Sequence, residues 1–172
     1  VGFSLERNTW RTLPNHPEEK LGGIAGVLFD GQSSKLVVAG GSGWSASVHA
    51  LNMETGTWVK MRDMLHLVNR AAYAVLRGEL YVVGGLIDGS RTRRVQIYNY
   101  ERDEWRDGPE YPEPLFCDAT AVAFEDKLFV MGGWNANDQK ISTVRIFDPD
   151  TGTWSSGPAL PEPMGDARAC IF

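Results

Sequence analysis

The sequence predicts an all-β chain built from a repeated four-stranded unit, and three observations predict it. Tryptophan returns at a nearly constant interval: Trp10, Trp58, Trp105 and Trp154 stand 48, 47 and 49 residues apart. Between them, three apolar runs end in glycine pairs, LVVAGG at Gly41, LYVVGG at Gly85 and LFVMGG at Gly133. No stretch carries the i, i+3, i+4 apolar spacing of an amphipathic helix over a useful length. Self-similarity at a fixed interval of this size is the mark of a repeat architecture.

Each unit divides into strands a to d. Strand a is the apolar segment Ile24 to Phe29, Ala71 to Leu76 or Ala119 to Phe124. Short turns follow, of which Arg77-Gly78-Glu79 and Glu125-Asp126-Lys127 are the clearest. Strand b is the run into Gly-Gly; being apolar on both faces, it suits a strand buried on both sides. Strand c ends on a large apolar residue, Phe3, Leu51, Tyr98 or Phe147, seven positions ahead of each Trp. Strand d begins at the Trp. Two positions before each Trp stands Asn8, Gly56, Asp103 or Gly152. These residue types tolerate a left-handed backbone, so c and d are expected to form a tight hairpin. Four-stranded sheets repeated at this interval fit a radial β-propeller.

The glycine pair, the following aromatic and the Trp seven residues later resemble the kelch repeat, and the resemblance runs the length of the chain. Departures are small: Leu51 stands where a Tyr is expected, and Val37 where Tyr81 and Phe129 supply an aromatic. The expected architecture is thus a kelch-type β-propeller with three complete four-stranded blades and partial blades at both ends. Residues 1–13 supply strands c and d of one blade, 24–62, 70–107 and 118–157 the full blades, and 166–172 strand a of another. On this count the chain reads as an excerpt of a ring of about six blades. Two other closures stay open: a four-bladed ring with DARACIF beside the first Trp strand, or two chains closing head to tail.

Composition narrows the function classes. The chain has 172 residues, 42% of them hydrophobic and 23% charged, with a formal charge of −5. That balance argues against nucleic acid, which usually needs a basic face. No apolar run nears the ~20 residues that span a bilayer, and no signal peptide opens the chain. Two cysteines, Cys117 and Cys170, make no disulfide framework and read as small half-buried residues. With no Asn-x-Ser/Thr sequon they lean toward a reducing, cytoplasmic setting. The three histidines, His16, His49 and His66, have no metal-ligand spacing. No catalytic residue, cofactor site or metal site is expected.

Strand alternation places the b–c and d–a loops on one face and the a–b and c–d turns on the other. The turns are short and acidic, as solvated tips are. The loops are longer and richer, and long loops on a rigid scaffold are where binding concentrates. They carry Trp44, Arg91, Arg93, Trp134 and Asn135, with Trp and Arg the residue types that anchor interfaces. At the start of strand a stand Asn69, Arg70, Asp118 and Asp166. The kelch resemblance implies that this face and the channel mouth grip a protein or peptide. It also implies recruitment of that protein to a cullin-type ubiquitin ligase through a BTB or F-box domain outside this chain. A cytoskeletal scaffold that binds actin is the alternative, and a propeller enzyme a third. The basic pocket at the start of strand a in many kelch proteins is not clearly reproduced; Arg70 lies two positions beyond the matching place.

Overall fold

The computed structural model describes residues 2–4, 8–18, 24–29, 34–40, 45–113 and 116–171. It opens with a hairpin of β1 (Gly2–Ser4) and β2 (Thr9–Arg11). The first full sheet holds β3 (Ile24–Phe29), β4 (Ser34–Ala39), β5 (Val48–Asn52) and β6 (Trp58–Met61). The second holds β7 (Ala72–Leu76) and β8 (Glu79–Val83), and after a small inserted hairpin of β9 (Leu86–Ile87) and β10 (Ser90–Arg91), β11 (Val95–Asn99) and β12 (Glu104–Asp107). The third holds β13 (Thr120–Phe124), β14 (Lys127–Met131), β15 (Val144–Asp148) and β16 (Thr153–Ser156). Each full sheet is antiparallel, with its strands in chain order. The strand-a segments β3, β7 and β13 lie side by side, so the sheets radiate from their first strands. Among the described residues, no helix is long and apolar enough to cross a membrane.

The repeat seen in sequence is a repeat of register. The residue seven places before each Trp is its directly opposed partner in the c–d hairpin: Phe3 with Trp10, Leu51 with Trp58, Tyr98 with Trp105 and Phe147 with Trp154. The turns close as their residue types require. Asn8, Gly56, Asp103 and Gly152 all have positive φ, from 48° to 72°. A feature not read from the sequence helps them: the first turn residue accepts backbone N–H groups on its side chain. Asn52 Oδ1 takes Glu54 and Thr55, Asn99 Oδ1 takes Arg102, and Asp148 Oδ1 takes Asp150.

Period-two alternation sorts the strand-b and strand-c residues into two layers. Leu80, Val82 and Tyr98 of the second sheet pack with Val37, Ala39, Val48 and Ala50 of the first. Their neighbours Tyr81, Val83, Val95 and Ile97 turn the other way, onto Leu128, Val130 and Phe147 of the third. A strand between two sheets has no solvent face, which is why LYVV is apolar without a break. Each such side chain contributes about 1.5–3 kcal/mol on full burial.

Tryptophan joins sheet to sheet. The indole N–H of Trp58 donates to Pro14 O, that of Trp105 to Arg62 O and that of Trp154 to Pro109 O, at 3.3, 3.1 and 3.1 Å. Each acceptor lies four residues beyond the preceding Trp. The period therefore matches one indole staple per blade.

Two local expectations change. Residues 166–171 form no strand. They run beside β13, with Ala169 N–H donating to Thr120 Oγ1 at 2.9 Å. β7 and β13 each gain their ladder from a strand b directly after them, and 166–171 have no such partner among the described residues. Asp88 to Arg93, read as plain loop, supplies the turn and the second strand of the β9–β10 hairpin, whose Asp88-Gly89 turn has positive φ at both residues (49° and 77°). That Asp-Gly pair is the usual signal for a two-residue hairpin. Of the cysteines, Cys117 is buried but Cys170 is exposed; both are free thiols.

Candidate protein-binding face

The strand order brings the b–c and d–a loops to one end of the blades, and the backbone there is periodic. Arg70, Asp118 and Asp166 open their a segments with φ of 55°, 53° and 57°. Their backbones join in a line: Asp118 N–H donates to Arg70 O at 2.8 Å, and Asp166 N–H to Asp118 O at 3.1 Å. The three side chains thus stand in a row where the strand-a segments begin. Arg70 and Asp118 form an ion pair, the guanidinium half-exposed and the carboxylate mostly covered. That carboxylate, by hydrogen bond and charge, holds the Arg70 proton more tightly than usual. Asn69 Oδ1 beside them is buried with no hydrogen-bond partner.

The glycine pairs let the loops approach. Gly84, Gly85, Gly132 and Gly133 all have positive φ, between 65° and 101°. A Cβ on Gly85 would fall 2.8 Å from Ala71 Cα, and one on Gly133 2.8 Å from Cys117 O. The second glycine of the latter two pairs also donates to the next d–a loop: Gly85 to Phe116 O at 3.3 Å and Gly133 to Met164 O at 2.7 Å.

Several residues that the sequence nominated for contact with a partner are engaged within the chain. Arg91 donates from Nε to Trp134 O at 3.2 Å and from a terminal nitrogen to Asp138 at 2.5 Å, joining two neighbouring b–c loops. Arg93 donates to Tyr111 O at 2.8 Å, with Glu110 at 3.6 Å. Trp134 donates its indole N–H to Asp166 at 2.9 Å and lies under Lys140, whose ammonium is 5.3 Å from the ring centre. Asn135 folds its own loop, accepting Asn137 N–H at 2.9 Å and Gln139 N–H at 3.0 Å. Trp44 lies outside the described residues. Arg70, Asp118 and Asp166 stand together; Arg91, Trp134 and Asp138 form a second group, tied to the first through Asp166. Cys117 lies between them, its thiol pushed up in pKa first by burial and then by Asp118.

A further series escaped the sequence reading. His49, Gln96 and Arg145 occupy one position, two residues before Leu51, Tyr98 and Phe147. Each reaches the loop that enters its own blade. Gln96 is buried; its Oε1 accepts His66 N–H at 2.8 Å and its Nε2 donates to His66 O at 3.0 Å. Arg145 donates to Glu113 O at 2.8 Å. His49 Nε2 lies 3.9 Å from Glu18 Oε1. The available signal was a polar residue at repeat spacing inside an otherwise apolar strand.

Comparison with known proteins agrees with this architecture. The model of the KLHDC2/KLHL20/DRC7 kelch-repeats domain matches residues 1–170. The human kelch repeat and BTB domain-containing protein 12 is 28% identical over 163 residues, covering 80% of this chain and 25% of that protein. Mouse kelch-like protein 35 is 34% identical over 88 residues, covering 51% of this chain and 15% of that protein. This chain therefore spans a quarter or less of either relative. The solved structure of YjhT superposes with a TM-score of 0.75 at 18% identity, over 87% of this chain and 54% of that one, a likeness of fold alone. Register, blade order and family match agree: the chain is a kelch-type β-propeller segment and belongs to the kelch-repeat family, whose domains are in general protein-interaction modules.

Proposed function

We propose that this chain binds a protein or peptide through its b–c and d–a loop face, as a non-enzymatic module, and that the protein carrying it acts in the cytoplasm to recruit the bound protein to a cullin-type ubiquitin ligase. One observation carries the binding reading. The longer loops converge on the face where Arg70, Asp118 and Asp166 stand in a row, while the opposite end carries tight turns closed on their own side chains. A rigid frame holding chemically varied loops at one end is the usual arrangement of a recognition surface. The ligase step rests on the family and on the BTB domain in the human relative's name. The test is affinity purification of the parent protein from its native cells, with co-purifying proteins identified by mass spectrometry. Cullin or a BTB- or F-box-linked adaptor among the strongest partners supports the ligase step. Actin and scaffold proteins without any ligase component overturn it and leave the binding module standing.

A further inference from the structure

The loops of the proposed recognition face are each held at several points, and one holding point varies from blade to blade. The first is the Trp indole, identical in every full blade, which takes the carbonyl at the loop's beginning. The last is the left-handed residue opening the a segment, tied by backbone to the preceding blade. Between them lies the strand-c side chain, which changes from His49 to Gln96 to Arg145.

We infer that Gln96 and Arg145 are positioning residues for recognition: they set where the middle of each d–a loop stands, and so the shape that the face offers a partner. This rests on the binding role proposed for that face. Gln96 is the sharpest case. Its amide satisfies the N–H and the C=O of one residue, His66, and only one orientation of the amide meets both. Such a reciprocal pair fixes the two peptide units that flank His66, the one that carries its N–H and the one that carries its C=O. Arg145 does less to Glu113: it grips one carbonyl, and its other terminal nitrogen donates to Ser156 of the neighbouring strand at 3.0 Å. The loop entering the second blade is therefore held more tightly than the loop entering the third. The scaffold does not demand this chemistry, because the opposed c–d pair closes the sheet and the indole staple ties it to the loop entering its own blade without it.

The test compares Gln96→Met and Arg145→Met with the unaltered full chain. Methionine keeps the length of glutamine and removes both hydrogen bonds. Amide hydrogen exchange in Gln96→Met should quicken about tenfold at residues 64–69, in line with the loss of one or two modest hydrogen bonds. The amides of β11 and β12 should keep their rates. Arg145→Met should act the same way at Tyr111 and Glu113 and more weakly, and it keeps the question open to experiment if Gln96→Met fails to fold. The binding probe is a twelve-residue peptide selected by display against the unaltered chain, whose binding Arg70→Ser weakens. Gln96→Met should speed its release about tenfold, and Gln96→Glu, which keeps the acceptor and loses the donor, should fall between. Uniform acceleration of exchange across the second blade, or no change at 64–69, overturns the inference. So does local acceleration with unchanged release of the peptide. If no selected peptide responds to Arg70→Ser, the face itself is misassigned, a different failure that the exchange data alone do not produce.

Discussion

At the scale of single residues, the decisive quantity is how closely the backbone is approached. Gly85 and Gly152 both have positive φ, 87° and 67°, but their surroundings differ. Gly85 faces the backbone of Ala71, whereas nothing lies within 4 Å of a Cβ on Gly152. Gly85→Ala should cost about 3 kcal/mol, from strain and overpacking together, and Gly152→Ala about 1 kcal/mol from the left-handed backbone alone. Urea unfolding of the two variants measures the gap, and equal losses would mean that close approach is not what the glycine pair provides. A titration belongs to this scale too. Arg106 grips Glu79 with two bonds of 2.6 Å and holds its carboxyl below the usual range. The folded pKa is lowered, so this pair stabilises the fold above the ordinary glutamate value of about 4.3 and fades as pH falls through the lowered one. Arg106→Met should therefore flatten the acid limb of a plot of urea midpoint against pH below about 5. An unchanged acid limb would show that solvent screens the pair out.

At the scale of elements, turn chemistry separates what the sequence makes legible from what it hides. The Trp interval, the large apolar residue opposed to each Trp and the left-handed residue before it could all be read directly, because each is a local rule repeated along the chain. Gln96 was harder to see: its partner His66 is 30 residues away, and nothing local in VQIYN says which loop its amide will meet. Arg91 and Trp134 were readable as interface-type residues, but their mutual bond spans 43 positions and joins separate blades. Long-range partners of loop side chains follow from the assembled sheets. The third blade also carries a turn that its sequence handles poorly. Glu125 and Asp126 both adopt positive φ, 48° and 56°, in a two-residue hairpin between Phe124 and Lys127. The combined change Glu125→Asn and Asp126→Gly supplies residues suited to that turn and should stabilise the chain by about 1 kcal/mol. The cost is an exposed contact between Asp126 and Arg77 at 3.5 Å, of little worth at the surface. Differential scanning calorimetry should show a higher melting temperature; a lower one would mean the turn is not limiting.

At the scale of the whole molecule, the blades form a frame whose two ends differ. One end carries turns that satisfy their own backbone. The other carries loops braced by Trp, by the strand-c residue and by the glycine pair, with Arg70, Asp118 and Asp166 at the start of the a segments. Arg91 and Arg93, nominated by sequence, act there as internal ties, while Arg70 keeps its guanidinium half-exposed beside Asp118.

The central claim is that the loop end does the binding, and one measurement addresses it most directly: the affinity of the strongest co-purified partner for two altered proteins. Arg70→Ser with Asp166→Asn changes the loop end, the asparagine keeping an acceptor for the Trp134 indole. Glu54→Lys with Glu101→Lys changes exposed turns at the opposite end. Melting temperatures, read alongside, should stay within about 3 °C of the unaltered protein for both. The predicted result is a loss of about tenfold or more for the loop-end pair and none for the turn-end pair. Equal losses, or a loss confined to the turn end, would contradict the account.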